Sequence, residues 1–351
     1  YDTRSRKVKE SLLLDASDLE GTRLERAEFD DEYPTMVKSN TVYAYYAGDR
    51  VKSVTDANGN MTSFEYDLDG RLVKKLQPMN VTTLYRYDGE GNLTCETNGR
   101  GVSTYYDYDA MNRVVREKAP SAGGGQAMTR YIYDAMGNLL KTILPNAYDA
   151  VKDTPEQADE MPGEGYTYDS MNRPVAMTAP TGETVQYIAY DANGNVKKKV
   201  DGLRYTGNIS ASTGTVYEYD GLDRTGRATD ALGGVSSTGY DILGNVTSRT
   251  DALGHTTGYE YNPDGTLAKV IYPDGGTVVF SYDLLGRMTS RTDQRGNTSV
   301  FEYNAFDKLK KEKDPYGNSI TRKYDLKGNE CAVTDKRGSA TAVKYDALDR
   351  P

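Results

Sequence analysis

Two aromatic positions flanking a charged one recur along the chain, as in Phe64-Glu65-Tyr66, Tyr85-Arg86-Tyr87, Tyr106-Asp107-Tyr108, Tyr217-Glu218-Tyr219, Tyr259-Glu260-Tyr261 and Phe301-Glu302-Tyr303. A period of two puts both aromatics on one face of an extended strand and the charge on the other, so each triplet predicts a β-strand with one aromatic and one charged face. The second aromatic returns every 21 residues in two runs, Tyr45, Tyr66, Tyr87 and Tyr108, then Tyr219, Tyr240, Tyr261, Tyr282, Tyr303, Tyr324 and Tyr345. A fixed step of this size predicts repeats that bury apolar surface only against their neighbours.

Counting that Tyr as position 0, position 4 holds Gly70, Gly91, Gly137, Gly194, Gly244, Gly265, Gly286 and Gly328, or else Asp49, Asn112, Asn172, Asp223, Asp307 and Asp349. These are the residue types that tolerate a left-handed backbone, and with Asp or Asn at position 1 they predict a type I turn closed by a positive φ. Half a repeat later the same spacing returns, with Asp56, Asp230, Asp251, Asp293, Asp314 and Asp335 at position 11 and Gly59, Gly233, Gly254, Gly296, Gly317 and Gly338 at position 14. Proline falls at position 12 in Pro78, Pro120, Pro145, Pro180, Pro273 and Pro315, where a type I turn wants φ near −65°. Between the turns lie six-residue segments such as Arg287 to Thr292 and Thr298 to Tyr303, the usual length of a strand.

The predicted fold is therefore all-β: tandem 21-residue hairpins in a continuous antiparallel meander that twists into a curved, spiralling ribbon, part of a hollow β-shell. The fourteen repeats give about twenty-eight strands. At ~4.8 Å each the ribbon is on the order of 130 Å long, or about one coil of roughly 40 Å diameter. Residues 1–42 are expected to be a degenerate opening segment: Tyr1-Asp2 and Ser5-Arg6 resemble a decayed repeat, and the stretch through Leu24 and Phe29 has no good register. Residues 43–351 form the array, whose ends read as cuts in a longer one. Insertions around 119–128, 143–165 and 201–214 all enlarge the turn between positions 10 and 16, so they are expected to emerge along one edge and are candidate interaction elements.

Composition fits this architecture: 37% hydrophobic residues, 35 Gly, 30 Tyr and no Trp suit many short strands and tight turns. A net charge of −9 opposes a nucleic-acid partner or an anionic membrane, and no stretch approaches the ~20 apolar residues of a spanning helix. Lys197 to Lys199 and the Lys308 to Lys313 stretch are read as solvated strand surface, because successive strand residues alternate faces. Cys95 and Cys331 lie far apart in the stack and no disulfide is expected between them.

Candidate chemistry is sparse. His255 is the only histidine and sits in a turn, which disfavours a Ser-His-Asp triad. The strings Asp56 to Asn60 and Asp191 to Asn195 resemble the start of a calcium loop but lack its Gly at the sixth and Glu at the twelfth position, so they are read as turns and no metal or cofactor is expected. Asn92, Asn245 and Asn297 open glycosylation sequons at positions where a turn already wants Asn.

The segments Tyr66-Asp67-Leu68-Asp69-Gly70-Arg71-Leu72 and Tyr240-Asp241-Ile242-Leu243-Gly244-Asn245-Val246 closely resemble the YD repeat of the RHS family, over residues 43 to 351. That family includes bacterial polymorphic toxins, shell proteins of toxin complexes and the animal teneurins. The motif residues this implies include Tyr66, Asp67, Gly70, Tyr87, Asp88, Gly91, Tyr133, Asp134, Gly137, Tyr190, Asp191 and Gly194, with Tyr240, Asp241, Gly244, Tyr282, Asp283, Gly286, Tyr324, Asp325 and Gly328. The resemblance implies a secreted or cell-surface, non-enzymatic shell module, its partners being flanking repeats and a C-terminal, toxic cargo of the same polypeptide. The alternative is adhesion or carbohydrate binding, with a surface glycan or receptor held by the aromatic face or the insertions. Asp314-Pro315-Tyr316-Gly317 is similar to the family's Asp-Pro-x-Gly autoproteolysis boundary, but it lies in register as an ordinary turn with another repeat after it, and no catalytic role is assigned to it.

Overall fold

The computed structural model describes residues 1–19, 28–29, 36–121, 124–154 and 157–351, and Leu24 of the opening segment lies outside them. The described residues form one antiparallel sheet of 29 strands with four short 3-10 helices. The first strands set the pattern. Strand β1 (Lys9–Asp15) and the two-residue β2 (Glu28–Phe29) both pair with β3 (Met36–Tyr45), followed in order by β4 (Val51–Thr55), β5 (Met61–Tyr66) and β6 (Leu72–Gln77), each hydrogen-bonded to its neighbour. From there every strand pairs with the next, to Ala340–Ala342. The sheet is the meander predicted from the repeat.

In most repeats both turns have one geometry; the exceptions include Pro78–Asn80, a short 3-10 turn with positive φ at Met79 and Asn80, and Pro120 lies at the end of a strand rather than in the turn expected for it. At the first turn, the Asp67 amide donates to the Arg71 carbonyl at 3.0 Å and the Gly70 amide to the Asp67 carbonyl at 3.1 Å. At the second, Asp56 and Asn60 pair at 3.0 Å and Gly59 closes on Asp56 at 2.9 Å. These are three-residue hairpin loops, a type I turn plus one left-handed residue. The left-handed position has φ +93° at Gly244, +60° at Asn172 and +58° at Asp223, so Asn and Asp occupy the same well as glycine. Sequence reasoning predicts the type I turn; the structure adds a bulge, since the register slips by one residue at Tyr66, Tyr240 and Tyr282.

Tyr1 and Asp2 form the same turn, with Ser5 at φ +59° and the Asp2 amide on the Arg6 carbonyl at 3.0 Å. The start of the opening segment thus keeps the turn of a repeat.

Burial is distributed. The most deeply buried side chains fall into separate small groups along the ribbon: Leu14 with Val37, Ile143 with Met161, and Val200. One cluster, Leu14, Leu19, Val37 and Leu326 with Ala57 and Phe306 against it, joins the beginning of the chain to its end. Around it Ser39 Oγ donates to the Leu326 carbonyl at 2.6 Å, Asn58 Nδ2 to Asp325 at 3.1 Å, and Lys310 Nζ lies 3.2 Å from Asp18. The ribbon has therefore curled through a full coil: the position-11 turn of the Tyr45 repeat sits on the Tyr-Asp turn of the repeat twelve later, at Tyr324. The next pair follows the same offset, with Arg350 Nη2 at 3.6 Å from Met79 Sδ. About two dozen strands per coil at ~4.8 Å give a ring roughly 35–40 Å across.

Candidate functional site

The motif residues knit adjacent hairpins together. The Tyr66 hydroxyl donates to the Val51 carbonyl at 3.0 Å, Tyr87 to Leu72 at 2.9 Å, Tyr240 to Thr225 at 3.0 Å, Tyr282 to Leu267 at 2.9 Å and Tyr324 to Leu309 at 2.6 Å. In each case the acceptor is position 6 of the preceding repeat. Across an insertion the same residue is reached: Tyr168 donates to Leu139 at 2.9 Å and Tyr219 to Val196 at 2.8 Å. Burial raises the pKa of Tyr87, Tyr133, Tyr190, Tyr282 and Tyr324, which favours the neutral phenol that can donate this bond.

The acid at position 1 works on its own turn. Asp67 Oδ1 accepts from the Arg71 amide at 2.9 Å and Oδ2 from Arg71 Nε at 2.7 Å, while Arg71 Nη1 reaches the Asp88 carbonyl of the next repeat at 3.1 Å. Asp283 and Arg287 repeat this geometry, with Nη1 on the Asn304 carbonyl at 3.2 Å. Where position 5 is Asn, as beside Asp88, Asp134, Asp191, Asp241 and Asp325, the side-chain amide takes the same carboxylate oxygen at 2.8 to 3.3 Å. The side-chain hydrogen bond from position 5 is the main reason that Asp88, Asp134, Asp169, Asp220 and Asp241 sit below the ordinary carboxylate range.

Arginine at position 5 also covers the Tyr of the following repeat: Arg71 on Tyr87 at 5.1 Å, Arg113 on Tyr133 at 4.7 Å, Arg173 on Tyr190 at 4.5 Å and Arg224 on Tyr240 at 4.4 Å. The motif residues of one repeat thus meet those of the next through a residue to which sequence reasoning gave no role. The signal was present, because position 5 holds Arg or Asn in nearly every repeat, but the pairing lies between repeats and cannot be read within one. Lys308 fills this position over Tyr324 at 5.9 Å and donates to the Gly328 carbonyl, while Lys310 pairs with Asp18 and Lys311 with Glu302 at 3.7 Å. Lys308 and Lys313 of this run stand exposed, as read from the sequence, and Lys310 is half-buried against Asp18.

The insertions differ from one another. At the first, the Ser121 amide donates to the Gly125 carbonyl at 2.8 Å between two lengthened strands, Val114–Pro120 and Gln126–Tyr133. The longest folds back onto the ribbon rather than projecting from its edge. Ala158 and Met161 bury against Ile143, Ile132 and Tyr148, and Asp153 lies 2.5 Å from Arg116 Nε, 3.0 Å from Arg130 Nε and 2.7 Å from the Tyr148 hydroxyl. Burial and the neighbouring Asp153 carboxylate raise the Tyr148 pKa to about 12. Arg116 also pairs with Asp107, the residue between the aromatics Tyr106 and Tyr108, so this insertion lies over the charged face. The third insertion is compact, with Tyr205 stacked on Tyr187 at 3.7 Å and Ser212 Oγ donating to the Asn208 carbonyl at 2.7 Å.

The remaining motifs act as turns. Asp56 Oδ1 accepts from the Asn58 and Asn60 amides and Asp191 Oδ1 from Asn193 and Asn195, all at 2.8 to 3.0 Å. His255 Nδ1 lies 3.2 Å from Asp251 within one turn. Asp314 forms its turn with Asn318 and an ion pair with Lys336 at 3.0 Å. Cys95 and Cys331 are buried thiols that do not bridge. Among the described residues no three of His, Cys, Asp and Glu converge as metal ligands, and no helix is long and apolar enough to cross a membrane. What this surface offers chemically is a long series of similar hydrogen-bonded junctions, suited to a wall.

Residues 45–78, 66–103, 240–277 and 282–319 match the family described as RHS Repeat. These four stretches carry RHS repeats. No curated protein matches it. Among solved structures, these RHS repeats are similar in fold to the crystal structure of TcdB2-TccC3, with a TM-score of 0.60 at 13% identity over 100% of this chain and 20% of that one. A crystal structure of TcdB2-TccC3 without its hypervariable C-terminal region gives a TM-score of 0.56 at 14% identity, over 99% and 20%. The RHS repeats described here thus span about a fifth of the length of those chains.

Proposed function

We propose that this chain is a wall segment of a larger hollow β-shell, a structural and non-enzymatic module of a secreted or cell-surface protein whose shell encloses a C-terminal cargo of the same polypeptide. We further propose that residues 43–351 act as one continuous array. The observation that carries the reading is the coil itself: the ribbon closes on its own edge after twelve repeats, and junction after junction reuses the Tyr hydroxyl bond and the Asp turn, with Arg or Asn at position 5 in most repeats. A wall of this kind spreads any contact with a cargo over a wide sheet face rather than a pocket. The fold it shares with TcdB2-TccC3, a protein with a hypervariable C-terminal region, supports the shell reading.

The test is protease protection in the full-length polypeptide that carries these repeats. The segment following the array should resist digestion until the shell is unfolded, and digestion at the rate of an unfolded chain would overturn the proposal. Specific glycan binding by the intact repeats, without such protection, would favour the adhesion reading instead.

A further inference from the structure

Three Asn-Gly pairs occur in the chain, Asn58-Gly59, Asn98-Gly99 and Asn193-Gly194, and the turns set them apart. In the first and third, glycine is the left-handed residue of the turn and its amide is engaged: Gly59 donates to the Asp56 carbonyl at 2.9 Å and Gly194 to the Asp191 carbonyl at 3.2 Å. The side-chain amides are held as well, Asn58 Nδ2 on Asp325 at 3.1 Å and Asn193 Nδ2 on Asp223 at 3.0 Å. Asn98 instead opens its turn, at position 11 of the Tyr87 repeat, and the left-handed place falls to Gly101 at φ +76°. Its Oδ1 accepts from the Arg100 amide at 3.0 Å and from the Val102 amide at 3.2 Å. Among the described residues neither Asn98 Nδ2 nor the Gly99 amide has a hydrogen-bond partner, and both residues are exposed. Packing requires glycine at 99, since a Cβ there would lie 2.2 Å from Val81 Cγ1.

We propose that Asn98 is a self-modification site, converted to an aspartate or an isoaspartate through a cyclic imide formed with Gly99. The Gly99 amide loses its proton to hydroxide, its nitrogen bonds to Asn98 Cγ, and the negative charge passes to Oδ1. The two amides already aimed at Oδ1 stabilise that oxyanion as it forms. The Cγ–Nδ2 bond then breaks, and the nitrogen takes a proton from water and leaves as ammonia. Water opens the imide at Cγ to give aspartate, or at the main-chain carbonyl to give isoaspartate. The aspartate fits the array, because Asp56 and Asp230 hold the same two turn amides from position 11. The isoaspartate routes the main chain through the side-chain carbons, which lengthens the turn and loosens the hairpin between Leu93–Thr97 and Ser103–Tyr108. This inference is independent of the shell reading.

Peptide mapping by mass spectrometry tests it, on the full-length polypeptide that carries these repeats, aged in mildly alkaline buffer at physiological temperature. Amide loss at Asn98 should run at least about tenfold ahead of loss at Asn58 and Asn193, because each of those must first give up two hydrogen bonds. In denaturant the three rates should converge, since the turns that separate them are gone. Chromatography of the peptide spanning Asn98 should resolve an isoaspartate form beside the aspartate form, with synthetic peptides as standards. Equal rates at the three sites in the folded chain, or Asn58 or Asn193 converting first, overturn the proposal. So does an Asn98 that stays intact in the folded chain while the denatured chain converts.

Discussion

Gly244 isolates the backbone requirement of the hairpin turn from every other contribution. Its φ is +93°, and a Cβ placed there would meet nothing closer than Arg224 Nη1 at 3.9 Å, so a side chain has room and the penalty is dihedral. An L-residue in a left-handed conformation costs about 1–2 kcal/mol, and a β-branched one more, up to roughly 3 kcal/mol. Removing glycine also stiffens the unfolded chain, which returns about 0.4–1 kcal/mol. Gly244→Ala should therefore destabilise by about 1 kcal/mol and Gly244→Val by about 2 kcal/mol. Gly244→Asn should be close to neutral, because Asn112 and Asn172 occupy this position natively at φ +59° and +60°. Chemical denaturation gives the ranking, and native-state hydrogen exchange shows where the loss falls. Protection should drop at the Asp241 turn and the flanking hairpins and persist at the Leu72–Gln77 strand, since each repeat touches chiefly its neighbours. A valine variant as stable as the asparagine variant, or an equal loss at the distant strand, would refute the argument.

Tyr240→Phe removes the 3.0 Å bond to the Thr225 carbonyl and should cost about 1 kcal/mol, read as a shift in denaturation midpoint at constant slope. Asp153→Ala should release the long insertion from Arg116 and Arg130 at a cost of roughly 2–4 kcal/mol. Proteolysis between Asn146 and Gly163 should then quicken, and an unchanged rate would mean that Met161 and Ala158 hold the insertion alone. Stability should fall on acidification. The Lys336 side chain, with Asn318, holds Asp314 at about 2 in the folded chain against 3.8 for the free group, so its contribution is complete above about pH 4 and is lost as pH falls through about 2. Carboxyl titration by nuclear magnetic resonance should give this value, and Lys336→Met should move it back towards 3.8; titration of the unmodified chain at the ordinary value would contradict the geometry.

Strand and turn were legible in the residues because both are local. Alternation in Phe64-Glu65-Tyr66 sets which side chains share a face, and the requirement for positive φ at Gly70 or Asn172 is decided within four residues. The repeat then multiplies one correct hairpin into the whole sheet, and even the size of the coil follows from strand spacing. What the tertiary structure decided is everything that joins residues distant in sequence. That Arg71 serves the next repeat's Tyr87 depends on the bulge bringing two hairpins into register. The path of residues 144–163 depends on Asp153 finding Arg116 and Arg130 on another hairpin, a choice that a loop's composition does not encode. Ile242 and Leu326 occupy the same place in the repeat, and only the accumulated twist of twelve repeats determines that one is buried beneath a returning edge while the other faces water.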